Sequence, residues 1–140
     1  LLQFFMRDPD QEPALLAALA EWLGRFKVVV TFNGKTFDVP LLLSRYTMNG
    51  MRSPFDGYDH LDVLHIARKL WRDRLPSRAL GELEKEIGRF QRTGEEVPGW
   101  MVPQLYFDYL KSGDARPIGG VFYHNAMDLL SLAALFNYVE

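Results

Sequence analysis

The chain has 140 residues, a net charge of −2 and no cysteine, and 48% of its residues are hydrophobic. This length and composition fit one globular domain and exclude a disordered chain. Without cysteine, disulfides and thiolate metal sites are excluded, so a bound metal would have oxygen and imidazole ligands, which suit Mg²⁺ or Mn²⁺. The net charge gives no sign of a nucleic-acid binder, so any nucleic-acid-binding site must depend on a local basic patch.

The first half of the chain predicts alternating strands and helices. Residues 1–6 are an apolar run that ends at a turn, which predicts a buried strand. A helix is expected to about residue 25, and the β-branched run 27–32 is typical of a strand that is buried on both faces. Residues 39–48 predict another helix, ended by Asn49 and Gly50. This order predicts an α/β fold in which strands 1–6 and 27–32 are neighbours in one sheet.

The second half predicts mainly helices. Asp62 precedes an apolar helical pattern, which predicts an N-cap, with a catalytic role as the alternative. Residues 68–78 are the most basic part of the chain, and they either form an exposed helix end or contact phosphates. Further helices are expected over 78–87, over 100–111 and from about residue 119 onward. No apolar run reaches transmembrane length, so we expect a cytoplasmic protein without a membrane partner.

Three polar residues indicate a candidate site. His124 and Asp128 are four apart in the last predicted helix, which places them on one face. They are either an ordinary pair on the helix surface or a pair that holds a metal ion and moves a proton. Asp38 follows strand 27–32, where ligands bind in open α/β sheets. Two carboxylates and a histidine at a sheet edge could form a divalent-metal site for phosphodiester hydrolysis, with two ions activating water and stabilising the leaving oxygen. His124 would accept the proton from that water.

Several stretches resemble motifs of one nuclease superfamily. Asn33-x-x-x-Phe37-Asp38 resembles the second motif of the DnaQ-like, or DEDD, exonucleases of the ribonuclease H-like superfamily, and the segment around His124 and Asp128 resembles the third. Residues 32–42, 106–116 and 124–132 are similar to the YprB-type bacterial ribonuclease H-like proteins, a branch predicted to be exonucleases. The resemblance spans nearly the whole chain, with its motifs in the family's order.

The resemblance implies a ribonuclease H-like mixed sheet flanked by helices, with residues 1–140 as one exonuclease domain. It implies that Asp38 and Asp128 bind Mg²⁺ or Mn²⁺ in a two-metal site and that His124 is the general base. In the family the third motif reads His-x4-Asp or Tyr-x3-Asp, whereas here Tyr123 is five before Asp128 and His124 is four before it. Tyr123 is therefore the alternative base.

A second departure concerns the first motif. The family's opening strand carries an Asp-x-Glu pair, and residues 1–6 contain no carboxylate. We therefore expect a piece of a longer protein that lacks the first two strands and has an incomplete metal site. Alone, the chain is expected to be inactive on nucleic acid, to bind Mn²⁺ poorly and to self-associate through an exposed sheet edge.

The sequence thus predicts a metal-dependent nuclease, a 3′–5′ exonuclease acting on DNA or RNA. The alternative is an inactive ribonuclease H-like module that binds nucleic acid or serves as a scaffold. The choice between DNA and RNA and the oligomeric state are left open. The expected nucleic-acid contacts are Asn33, Lys35, Phe37, Arg72 and Arg74.

Overall fold

A computed structural model describes residues 1–72, 79–87, 92 and 97–139. The chain divides into two compact units. The N-terminal unit consists of Phe4–Ala79 with Val139, and the C-terminal unit of Leu1–Gln3 with Leu80–Tyr138. Arg74 lies outside the described residues, so its predicted contact with nucleic acid stays a prediction. No helix in the described part of the chain is long and apolar enough to cross a membrane.

The N-terminal unit combines helices with a small parallel sheet, which confirms the predicted α/β class. Its two described strands pair along their whole length, with Val28 opposite Asp59 and Thr31 opposite Asp62. In chain order the elements are a 3-10 turn (Pro9–Gln11), α1 (Glu12–Leu23), β1 (Val28–Thr31), α2 (Asp38–Met48), β2 (Asp59–Asp62) and α3 (Val63–Leu70).

Local sequence signals explain where these helices begin and end. The side chain of Asp8 caps the 3-10 turn by accepting the backbone N–H of Asp10 at 2.9 Å. Helix α1 has a proline in its first turn and ends at Gly24. Helix α2 ends at Asn49, and Gly50 follows with a left-handed φ of 63°. The predicted ends of both helices are confirmed.

Contacts between α1 and α2 fix the helical part of this unit. Tyr46 is fully buried, and its hydroxyl donates a 2.7 Å hydrogen bond to the carbonyl of Leu16. The guanidinium of Arg45 donates to both carboxylate oxygens of Glu12, from Nε at 2.6 Å and from Nη2 at 2.5 Å. Such a bidentate pair is directional, so it sets the orientation of α2 on α1.

The prediction of a strand over residues 1–6 is wrong. These residues form no strand, and Leu1 is 80% exposed. A strand needs a partner backbone for its hydrogen bonds, and in the described residues the partner of β1 is β2. Burial of strand 27–32 on both faces is also wrong, since Val28 is half exposed. The sequence missed β2 because its four residues, Asp-His-Leu-Asp, include no β-branched residue.

The C-terminal unit is helical in its described part. It contains α4 (Leu80–Ile87), a 3-10 turn (Gly99–Met101), α5 (Val102–Ser112) and α6 (Ile118–Val139). Helix α5 has a proline in its first turn and ends at Gly113, whose φ of 71° is left-handed. The helices predicted here are confirmed over the described residues.

The buried face of α6 is partly polar. Ser131 and Leu135 are almost fully buried, whereas Leu129 and Leu130 are largely exposed. The helical spacing of Leu129, Leu132, Leu135 and Phe136 predicts one shared apolar face, and for Leu129 this is wrong because its side chain is exposed. Residues at intervals of three and four lie on one side of a helix, so His124 and Asp128 share the side of Ser131. The His124–Asp128 pair therefore lies along the inner face of α6.

Candidate active site

Asp62, the last residue of β2, holds the loop that follows β1. Its side chain is 3% exposed. One carboxylate oxygen, Oδ1, accepts the backbone N–H of Asn33 at 2.8 Å and that of Leu64 at 3.1 Å. The other oxygen, Oδ2, accepts the backbone N–H of Lys35 at 3.0 Å. Asp62 therefore caps α3, as predicted, and also fixes the backbone of residues 33–35.

The ionised form of Asp62 is the one that this site stabilises. Burial raises the pKa of its carboxyl group, but the hydrogen bonds from the backbone of Lys35, Asn33 and Leu64 outweigh burial and leave the pKa below its ordinary value. With both oxygens bonded to backbone, the carboxylate has a structural role, and the alternative of a catalytic role gains no support.

The shape of this loop explains the Asn-Gly pair in the sequence. Asn33 has a φ of 65°, in the left-handed region that asparagine tolerates better than most residues. Gly34 is buried, and a Cβ atom there would lie 2.5 Å from Cβ of Thr31. Glycine is therefore required by a close approach of the loop to β1.

The loop carries the predicted second-motif residues to the start of α2. Asp38 is exposed in the first turn of α2, beyond the carboxyl end of β1, as the sequence predicts. A carboxylate there also stabilises the helix dipole. Phe37 is 66% exposed and Lys35 is exposed, so both side chains are accessible to a ligand.

A histidine that the sequence did not indicate lies beside this loop. His60 Nε2 and Thr31 Oγ1 share a hydrogen bond of 2.8 Å between β2 and β1. Burial lowers the pKa of His60, and the positive charge of Lys35 lowers it further. The negative charge of Asp62 raises this pKa, but its effect is smaller. The neutral imidazole is thus the favoured form, and its role is to join the two strands.

The basic stretch is described only in part. Arg68, Lys69 and Arg72 are exposed at and after the end of α3. Arg68 and Lys69 lie in the last turn of α3, where positive charge is favourable on structural grounds alone. Contact of Arg72 with nucleic acid stays a prediction.

In the C-terminal unit, His124 and Asp128 form the predicted pair. Nε2 of His124 is 3.3 Å from Oδ2 of Asp128, and both side chains are partly exposed. Within the described residues, the buried Nδ1 of His124 has no hydrogen-bond partner. Tyr123 is five residues before Asp128, about 140° around the helix. His124 is therefore on the same side of α6 as Asp128, and the choice between His124 and Tyr123 as base stays a prediction.

Arg92 joins Asp128 to a second carboxylate that the sequence did not indicate. Its Nη2 donates to Oδ1 of Asp128 at 2.7 Å. Its Nε donates to Oε2 of Glu84 at 2.8 Å, and Nη2 also donates to Oε1 of Glu84. The side chains of Arg92 and Glu84 are 14% and 8% exposed. One guanidinium thus neutralises two carboxylates in a mostly buried setting.

Glu84 is ionised in this cluster. Burial raises its pKa, but the hydrogen bonds from Arg92 and the positive charge of Arg92 outweigh burial and lower it overall. Glu84 and Arg92 were missed because Arg92 is 36 residues from Asp128, with no helical spacing to connect them. Ser131 did carry a signal, since it is one turn after Asp128 on the same face.

The cluster does not fit a metal ion as it stands. Carboxylate oxygens are the ligands that Mg²⁺ and Mn²⁺ prefer, but Arg92 and His124 already engage the two oxygens of Asp128. Across the described ranges, no group of three or more histidine and acidic residues is arranged to hold a metal. Asp38 belongs to the other unit, so a site shared by Asp38 and Asp128 stays a prediction.

Comparison with known proteins gives two matches. A family model described as RNase H superfamily matches residues 1–140. Over 139 residues, the chain is 40% identical to "Uncharacterized protein YprB" of Bacillus subtilis (strain 168). That match covers 99% of the chain and 33% of the relative, so the chain spans about a third of the relative's length. No solved structure matches the chain.

Proposed function

We propose that this chain, which belongs to the RNase H superfamily, is part of a nuclease that hydrolyses phosphodiester bonds from the 3′ end of DNA or RNA. Members of this superfamily generally hydrolyse such bonds. The observation that carries the proposal is the pairing of His124 with Asp128, 3.3 Å apart on the inner face of α6. In an ordinary His–Asp pair on a helix surface the imidazole would be exposed to solvent, whereas Nδ1 of His124 is buried.

The proposed base is Nδ1 of His124. Nε2 is 3.3 Å from Oδ2 of Asp128, and a carboxylate favours a neutral imidazole that carries its proton on the nitrogen facing it, so the proposed tautomer has the proton on Nε2. Nδ1 then has an unpaired lone pair, and this buried atom must become accessible before it can take a proton from a water molecule attacking phosphorus. Asp128 also stabilises the imidazolium that results. This assigns His124 as general base and Asp128 as the residue that orients it.

Metal dependence belongs to the proposal. When bound, Mg²⁺ or Mn²⁺ would polarise the phosphate and activate water. We propose Asp38 and Asp128 as the ligands that this chain supplies to an incomplete two-metal site. In the structure, the guanidinium of Arg92 is hydrogen-bonded to the carboxylate of Asp128, so a metal ion can bind this carboxylate oxygen only after the guanidinium moves away.

The proposed nucleic-acid contacts lie in the N-terminal unit. Phe37 presents an exposed ring for stacking on a base, and Lys35 presents an exposed ammonium group for a phosphate. Asn33 belongs to the same loop, which Asp62 holds in place. Arg72 and Arg74 complete the proposed surface, and a cytoplasmic location is proposed with it.

The second candidate is a module that binds nucleic acid or acts as a scaffold without cleaving. The observation that favours it is the ion-pair cluster, in which Arg92 satisfies both Asp128 and Glu84 as a purely structural network would. The two candidates share the nucleic-acid surface and differ in whether Asp128 and His124 take part in chemistry.

The test uses the natural protein that contains these 140 residues. Single-stranded DNA and RNA, each labelled at the 5′ end, are incubated with the protein in Mn²⁺ or in EDTA. The nuclease proposal predicts stepwise shortening from the 3′ end in Mn²⁺ and none in EDTA. Binding without shortening supports the scaffold candidate, and neither binding nor shortening contradicts both.

A further inference from the structure

Arg92 is the cation that pairs with both Asp128 and Glu84 in the C-terminal unit. Its Nη2 lies between carboxylate oxygens of Asp128 and Glu84, and contacts both. A guanidinium presents its donors in a planar fork, which lets it neutralise two carboxylates that would otherwise repel each other. The charge that a divalent ion would bring to Asp128 is therefore already supplied by the chain.

We propose that Arg92 is a resident cation that competes with divalent metal for Asp128, and that metal binds there only after the guanidinium withdraws. This inference rests on the proposed function only in taking Mn²⁺ or Mg²⁺ as the competing ion. It explains why Asp128, which the sequence predicts to bind metal, is instead ion-paired with Arg92 in the structure.

The described contacts of Arg92 with the two carboxylates are unequal. Among the described contacts, Arg92 donates to Glu84 from two nitrogens, Nε and Nη2, and to Asp128 from Nη2. A rotation that moves Nη2 away from Asp128 can keep the 2.8 Å bond from Nε to Glu84. Glu84, the more buried of the two carboxylates, then stays paired while Oδ1 of Asp128 is released. Burial of an unpaired charge, which would oppose the movement, is avoided.

The experiment measures Mn²⁺ affinity directly, by the electron paramagnetic resonance signal of free Mn²⁺ during titration. Arg92→Gln removes the competing charge, and Arg92→Lys keeps a charge for Glu84 but lacks the fork that reaches Asp128. We expect both variants to bind Mn²⁺ more tightly than the wild type. The gain for Arg92→Gln is expected to be at least roughly tenfold, because a positive charge beside the Asp128 carboxylate, which repels a divalent ion, is removed.

Two control variants locate the effect. Arg45→Gln removes an arginine that pairs with Glu12 in the N-terminal unit, and should leave Mn²⁺ affinity unchanged. Arg92→Gln combined with Asp128→Asn should abolish the gain, because the freed ligand is then absent. Circular dichroism is recorded for every variant to establish that it is folded.

Three results would overturn the inference. The first is that Arg92→Gln and Arg92→Lys bind Mn²⁺ no more tightly than the wild type, and the second is that the gain persists without the Asp128 carboxylate. The third is that neither Arg92 variant folds, because the guanidinium is then indispensable to the unit and cannot act as a withdrawable ion. Failure of the proposed function is distinguishable, since tighter Mn²⁺ binding without any cleavage by the natural protein supports the competition and contradicts the nuclease.

Discussion

Asp62 accepts the backbone N–H of Asn33 at 2.8 Å, and so ties the end of β2 to the loop that follows β1. That loop leads directly into Asp38, the proposed second-motif carboxylate. The position of Asp38 therefore depends on a residue 24 places later in the sequence, by the difference of the two residue numbers. Asp62 positions this loop, so its replacement should lower the stability of the protein.

Asp62→Ala should destabilise the protein by roughly 2–4 kcal/mol, because the change removes an N-cap and leaves two loop N–H groups without their acceptor. Urea unfolding followed by circular dichroism measures the change. Asp59→Ala, at the exposed first residue of β2, is the matched control and should change stability by less than about 0.5 kcal/mol. Equal effects of the two substitutions would contradict the assigned role of Asp62.

The pKa of Asp62 predicts how stability depends on pH. Its folded pKa is below the ordinary value of 3.8, so the folded state holds this proton less tightly than the unfolded state. The contribution is fully present above the unfolded pKa and is lost as pH falls through the folded one. Urea unfolding of the wild type and Asp62→Asn from about pH 6 to about pH 3 should show a difference that shrinks toward acid pH. A constant difference would show that the carboxylate charge is not involved.

Gly34 and Gly81 should respond in opposite directions to the same substitution. Gly34→Ala places a Cβ atom 2.5 Å from Thr31 and should destabilise by roughly 1–3 kcal/mol. Gly81, in α4, has no atom within 4 Å of an added Cβ, and alanine there should stabilise by up to about 1 kcal/mol. Thermal unfolding measures both. Stabilisation by Gly34→Ala would mean that the loop does not approach β1 this closely.

Predictions from the sequence were accurate where local signals determine structure. The Asp62 cap and the Asn49-Gly50 end of α2 are fixed by hydrogen bonds and by a φ angle within a few residues. The spacing of His124 and Asp128 likewise placed them together, because a helix turn is a local repeat.

Predictions from the sequence failed where contacts between residues far apart in the chain determine the structure. The apolar run 1–6 has strand composition, but a strand also requires a pairing partner, and β1 pairs with β2. The charges around Asp128 come from Glu84 and Arg92, whose approach depends on tertiary packing. Whether Asp128 binds metal, an internal cation or both is therefore not determined by its motif.

Arg72 and Arg74 provide the test of the proposed nucleic-acid surface. Replacing both by alanine should weaken binding of a single-stranded oligonucleotide and reduce the slope of log K against log salt by about 1.4, at about 0.7 for each phosphate that is no longer neutralised. Fluorescence anisotropy at several salt concentrations measures the slope. Arg52→Ala, at an exposed arginine in a different loop, is the control. An unchanged slope in the double variant would make these arginines ordinary surface residues.

The most direct test of the proposed nuclease is Asp128→Asn in the natural protein that contains this chain, with Asp108→Asn on the exposed side of α5 as the matched control. The amide keeps the size of the side chain but removes the charge that orients His124 and is proposed to bind metal. The measurement is the rate at which a 5′-labelled single strand is shortened in Mn²⁺. We predict a rate reduced by at least about 100-fold for Asp128→Asn, with the fold intact and Asp108→Asn unaffected. Full activity of folded Asp128→Asn would contradict the proposed active site.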